Sequence, residues 1–266
     1  MKSRRVLAIL LSVIFAAILV FVFFFTFTVR KINTSFDLYA GSEEESEQLK
    51  SKLDKFLGKN WLFVTDAEIR EIVEEYPLFD LTDFQKNYPN EIVLKISQCR
   101  EVYLVDYGTK TYVMSDEGKI TREYDGAADK QYIELNIDEL GVKELAIGKV
   151  LSTENQESFI NSLRIAGSVK LTDNVKSMKV ERKASTDVTK PIGTKQTVIV
   201  FDTYTEVSIT VWDSDDGGLS KAAAVFGKYD EISDYEKSFY DIEVYYDSYG
   251  EIVIIWTKDG NTEVVS

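Results

Sequence analysis

The residue types that do chemistry are unevenly supplied in this chain, and one is missing altogether. No histidine occurs among the 266 residues, which removes the Ser-His-Asp and Cys-His nucleophile arrangements and every histidine-based zinc site. A serine–lysine nucleophile would survive that loss, but no Ser-x-x-Lys is present. Neither G-x-x-x-x-G-K-[S/T] nor G-x-G-x-x-G occurs to cradle a phosphate. Carboxylates are plentiful enough for a glycosidase-like acid/base pair. Nearly all of them, however, fall in turns, in first turns of helices or on solvent faces, where hydration accounts for them. Asp213-Ser-Asp-Asp-Gly-Gly218 begins like a calcium loop, but its twelfth position, counted from Asp213, is Ala224 where a bidentate Glu is needed. A loop turn is the better reading.

Cys99 is the sole cysteine, so no intrachain disulfide can form. Arg100 beside it would favour the thiolate, while its place at the end of an apolar strand favours a buried structural role. No catalytic, cofactor-binding or metal-ligating residue is expected, no cofactor is implied, and the chain is read as a non-enzyme. Binding is what remains. Ile252, Val253, Ile254, Ile255 and Trp256 form a five-residue apolar run near the chain end. Either it is a fully buried central strand, or it is an edge strand that accepts a partner's strand with Trp256 as anchor.

The elements that must position these residues begin with an apolar run from Val6 through Leu7, Phe15 and Phe21 to Val29, without charge, Pro or Gly. Its 24 residues would reach about 36 Å as a helix, so a transmembrane anchor is expected over 6–29. The run is too long for a signal peptide and lacks a small-residue cleavage site. Three basic residues before it and two after favour a cytoplasmic tail over 1–5 and extracytoplasmic domains beyond, at the cell membrane. After residue 31 there are 26 basic against 45 acidic residues. That balance argues against nucleic acid and anionic lipid headgroups as partners of the folded part.

Ile32–Tyr39 reads as extended, with a break at Gly41-Ser42. Glu43–Leu57 reads as a helix with Leu49, Leu53, Phe56 and Leu57 on one stripe, stopped by Gly58. Thr65-Asp-Ala-Glu68 has capping-box spacing and opens a second helix carrying Ile69, Ile72, Val73 and Tyr76, which Pro77 ends. Strands follow around Phe79–Lys86 and Glu91–Ser97, the latter alternating Ile92, Leu94 and Ile96. From Arg100 onward strands dominate: Val102–Asp106, Thr111–Met114, Val175–Glu181, Thr197–Asp202, 207–211, Ile242–Tyr246, Glu251–Trp256 and Thr262–Val265. Helices are expected over Glu154–Ile165 and, after the loop Asp213–Gly218, in a segment carrying Leu219, Ala222, Phe226 and Tyr229, with a turn at Asp259-Gly260. The class is α+β: an N-terminal transmembrane helix, a β-α-α-β-β domain over 30–100, and a strand-rich mixed β domain with flanking helices over 101–266.

Phe36 to Val105 resembles the POTRA domain of the bacterial cell-division proteins FtsQ and DivIB. The resemblance is carried by Gly58-Lys-Asn-Trp-Leu-Phe-Val64, Tyr76-Pro-Leu-Phe79 and Asn87-Tyr-Pro-Asn-Glu-Ile-Val-Leu-Lys-Ile96. Downstream, Lys110–Ile120 and Gly217–Tyr229 are similar to elements of that family's β domain. Gln98-Cys-Arg-Glu-Val-Tyr103 departs from the family's Glu-Arg-x-Pro-Val-Ala, and Ser-Glu-Glu-Glu-Ser before the first helix departs from its Gly-Asn-x-x-x-Ser. The resemblance implies a division scaffold enriched at the septum, which joins FtsL-like and DivIC/FtsB-like bitopic coiled-coil proteins and helps control the septal peptidoglycan synthase complex. In the family the partner adds a strand to the last part of the β domain, which maps onto Ile252–Trp256. The rival readings are a POTRA-containing secretion or assembly component and an extracytoplasmic ligand-binding domain.

Overall fold

The computed structural model describes residues 2–39, 42–126, 132–168, 175–185, 191, 193–231, 237, 241–258 and 261–265. The chain divides into two compact units, Met1–Gln98 and Cys99–Ser266. Both are built on β-sheets with helices against one face, so the α+β class is observed.

The first unit opens with helix α1 (Lys2–Thr26). Among the described residues no helix is long and apolar enough to cross a membrane. The expected transmembrane helix over Val6–Val29 is therefore corrected, and with it the single-pass placement, the cytoplasmic tail and the localisation that followed. The apolar run, along which the rings of Phe15 and Phe21 are exposed, outlasts the helix, which ends at Thr26. Phe27 and Val29 bond through their main chains to the loop at 58–61 (Val29 N to Lys59 O 2.8 Å, Gly58 N to Val29 O 2.9 Å), and Val29 is 1% exposed in the core of this unit. The side chains of Val6 and Leu7 lie outside the described residues.

Strand β1 (Lys31–Asp37) leads to helix α2 (Glu43–Leu53), a 3-10 turn at Asp54–Phe56, and helix α3 (Asp66–Glu74). Strands β2 (Phe79–Asn87) and β3 (Glu91–Gln98) complete the unit. β3 is central in the order β1-β3-β2, parallel to β1 and antiparallel to β2. A parallel pair cannot be closed by a tight turn, and the two helices supply the crossover. Leu49, Leu53, Phe56, Ile69, Ile72 and Val73 pack from the helices onto Phe79, Leu81, Ile92, Leu94 and Ile96 of the sheet. Each such side chain contributes about 1.5–3 kcal/mol relative to staying exposed. Leu57, placed on the same stripe by spacing, is 44% exposed, because the helix has given way to an extended residue there. The capping box at α3 is complete: Thr65 Oγ1 accepts from Glu68 N, and Glu68 Oε2 accepts from Thr65 N at 3.0 Å. The Gly41 break lies outside the described residues.

Over the described residues the second unit is a ten-stranded mixed sheet. Its first strands are β4 (Glu101–Tyr107), β5 (Lys110–Ser115), β6 (Ile120–Glu123) and β7 (Ile133–Asn136). Helix α4 (Gln156–Ser168) follows, then β8 (Val175–Ala184), β9 (Lys195–Thr203) and β10 (Ser208–Val211). Helix α5 (Gly218–Glu231) leads to β11 (Asp241–Tyr246), β12 (Ile252–Lys258) and β13 (Asn261–Val265). The strand order is β13-β12-β11-β10-β9-β8-β7-β4-β5-β6.

Two strand–helix–strand crossovers join neighbouring parallel strands, β7-α4-β8 and β10-α5-β11. β8 and β10 run the same way, being both antiparallel to β9, and both crossovers step toward β13. Crossovers of one hand, taken in one direction, deliver both helices to one face. They meet there: Ile165 of α4 packs so closely on Gly218 of α5 that a Cβ at Gly218 would lie 2.6 Å from it. Phe159 and Leu163 from α4, and Ala222, Val225, Phe226 and Tyr229 from α5, join Val180, Ile199, Phe201, Ile209, Ile242 and Val244 in one core.

A candidate partner-binding edge

Along β11, Ile242 and Val244 point to the helix face and are buried, while Asp241 and Glu243 are exposed on the other face and Tyr245 is partly so. β12 continues the alternation. Ile254 is 4% exposed in the core, and Ile252 and Trp256 pack against it from partly buried positions. Val253 and Ile255 fall on the open face, as the period of two requires. Of the five residues singled out in sequence, three therefore belong to the core face and two to the open face.

β12 is paired on both sides, with β11 (Ile254 opposite Val244) and with β13 (Ile254 opposite Val265). The strand that carries Ile252–Trp256 is thus internal, and the terminal strand beside it is β13, with β6 at the other end of the sheet. Among the described residues β13 has a strand neighbour on one side only. Val264, opposite Ile255, is 63% exposed. With Ile255, Val253 and Tyr245 it makes a short apolar strip that runs out to the edge on the open face. Sequence reasoning found the run but not the edge. The usable signal was Asp259-Gly260, a hairpin dipeptide that makes the following segment the outer partner of Ile252–Trp256; that turn itself lies outside the described residues.

On the other, helix-covered face a buried lysine ties α5 to the sheet. Lys221, 0% exposed, donates from Nζ to Trp212 O at 2.6 Å and to Asp213 O at 2.7 Å. The same ammonium sits 4.7 Å from the ring centroid of Tyr246, the last residue of β11. Gly217, at φ +61°, leaves room for that ring, since a Cβ there would come within 2.2 Å of the Tyr246 oxygen. Trp212 Nε1 donates to Glu243 at 3.1 Å on the open face. At the far end Asp247 Oδ1 accepts from Tyr249 N at 2.8 Å and from Glu251 N at 2.9 Å, fixing the turn into β12.

The remaining chemistry-bearing residues are occupied by structural work. Asp215, in the loop that begins like a calcium site, accepts from Ser158 and Thr197 and pairs with Arg182 at 3.7 Å. Among the described residues no cluster of acids or cysteine could hold a metal. Glu101, 5% exposed at its side chain, accepts from Thr121 at 2.7 Å, from Arg122 at 3.0 and 3.2 Å, and from Tyr132 at 3.3 Å. Hydrogen bonding to Glu101 raises the Arg122 guanidinium above its usual value, and burial followed by the Glu101 charge raises the Tyr132 phenol. Cys99 is partly buried, with Lys119 Nζ 3.9 Å from its sulfur. A concavity of about 520 Å³ on the sheet is lined by residues that include Asp106, Glu134, Asp138, Lys179 and Asp202. Lys179 there is drawn to Glu181 and Glu139, and Asp202 accepts from Ser177 and Ser208, so the hollow is a hydrated polar face.

No family model matches the chain, and no curated protein matches it either.

Proposed function

We propose that this chain is a non-enzymatic scaffold of the FtsQ/DivIB type, working in cell division through protein–protein contacts. It joins FtsL-like and DivIC/FtsB-like coiled-coil proteins and helps control septal peptidoglycan synthesis. The partner adds a strand beside β13 rather than beside β12. The observation that carries this reading is an outer strand with one free side, fed by an apolar strip from Tyr245 through Val253 and Ile255 to Val264. Edge strands left in this state accept other chains by main-chain pairing, and alternate side chains then supply specificity. The β-α-α-β-β unit and the motifs Gly58–Val64 and Asn87–Ile96 support the family choice.

The test is capture of small coiled-coil division proteins by the full chain, compared with a Val264→Pro variant, which removes a main-chain donor from the edge strand. Capture by the parent and its loss in the variant, with an unchanged circular dichroism spectrum, is expected. Absence of capture by the parent refutes the scaffold, and equal capture by the variant refutes the edge. Ile254→Lys is the wrong probe, because Ile254 faces the core and a buried ammonium there would report folding instead.

A further inference from the structure

The edge has a charge pattern as well as a free ladder. Over 241–258 and 261–265 there are five carboxylates, Asp241, Glu243, Asp247, Glu251 and Glu263, against one lysine, Lys258. Glu263 lies on β13 itself, exposed, next to Val264 in sequence and therefore on the opposite face. Asp241 and Glu243 are exposed on the open face, beside the apolar strip.

Resting on the edge-strand reading above, we infer that the edge selects an incoming strand whose alternate residues are basic and apolar. A residue set opposite Val264 extends the strip formed with Ile255 and Val253, and desolvating it favours a β-branched or aromatic side chain. The residue beside it in the incoming strand falls opposite Glu263, where Lys or Arg is favoured and Asp or Glu repelled. A second copy of this chain is a poor occupant, because its own edge strand brings a carboxylate, Glu263, and no basic residue to meet the first. Its overall charge of −14 adds to the repulsion. The occupant is thus a foreign, basic, extended segment.

The experiment uses the full chain and two labelled nine-residue peptides, one alternating Val with Lys and one alternating Val with Glu, measured by fluorescence anisotropy. At low salt the Val-Lys peptide should bind about 10-fold more tightly than Val-Glu, a ratio set by attractive against repulsive cross-strand pairs. Raising the salt to about 0.5 M should shrink that ratio toward unity, since exposed pairs are screened. Glu263→Lys should reverse it. Equal binding of both peptides, each lost in Val264→Pro, overturns the charge selection while the edge reading stands. Binding of neither overturns both, and preference for Val-Glu or concentration-dependent self-pairing through the edge overturns the inference.

Discussion

Lys221→Met is the substitution whose consequence can be worked furthest from the structure. Nζ is fully buried and donates to two main-chain carbonyls, Trp212 O at 2.6 Å and Asp213 O at 2.7 Å, with the Tyr246 ring 4.7 Å away. Hydrogen bonds from a charged donor contribute about 1.5–3 kcal/mol each, and their loss leaves two carbonyls in an environment with little water. A desolvated cation–π contact adds about 2 kcal/mol. Against these stands the cost of holding an ammonium out of water, several kcal/mol, which methionine does not incur. The balance is a net loss of about 3 kcal/mol, equivalent to about 6–12 °C in Tm for a unit of this size. Urea unfolding is the assay, read from tryptophan fluorescence in a Trp61→Phe background so that Trp212 and Trp256 report the second unit alone. A loss below about 1 kcal/mol would refute the argument, because desolvation would then cancel what the hydrogen bonds supply. Lys221→Arg should destabilise too, since a forked guanidinium does not fit a site built for a point charge.

Two further outcomes follow from local geometry. Gly217→Ala should cost about 2 kcal/mol or more in the second unit, from a positive φ and from the clash with Tyr246; unfolding by urea checks it. In the first unit, Thr65→Ala should cost about 1 kcal/mol by removing the cap of α3. Glu68, Glu75 and Glu91 are held below the ordinary glutamate value by the Thr65 main chain, by Lys52, and by Asn87 with Lys31 respectively. Folded values below unfolded ones mean that their stabilisation is present above about pH 4.5 and is lost as pH falls through the folded values. Thr65→Ala should therefore also flatten the acid limb of the stability profile, and an unchanged limb would show that the Glu68 contact does not persist in solution.

Much of the first unit was legible because its elements obey single periods. Ile92, Leu94 and Ile96 alternate, Ile69, Ile72 and Val73 recur at helical spacing, and Thr65 and Glu68 mark their helix start. The far end of the apolar N-terminal run was misplaced for a physical reason: hydropathy does not distinguish a residue bound for lipid from one bound for a protein core, and Val29 is the latter. In the second unit β6 and β7 were missed: Ile120-Thr-Arg-Glu123 carries one apolar residue and Ile133-Glu-Leu-Asn136 two, whereas Val207, Ile209 and Val211 gave β10 a visible period. β7 is moreover paired in parallel on both sides, with β4 and β8, so nothing adjacent in sequence announces it. The free edge lies one strand beyond the run singled out in sequence. Apolar density drew attention to Ile252–Trp256, yet that density exists because β12 is covered on one face and paired along both sides. The terminal strand is the less apolar one beyond it, with Val264 as its exposed apolar side chain.

The delivery of both crossover helices to one face has a mechanical consequence. A sheet clad on one side only can lengthen at its rim without any helix having to slide, hinge or make room. A strand added beside β13 would meet a template already fixed, and the ordering would fall on the added strand. Because α5 stands on β10 and β11, which Lys221 and Tyr246 tie to its first turn, a pull on an added strand is transmitted along successive ladders into the clad part of the sheet. The rim is therefore built to bear load as well as to present an edge.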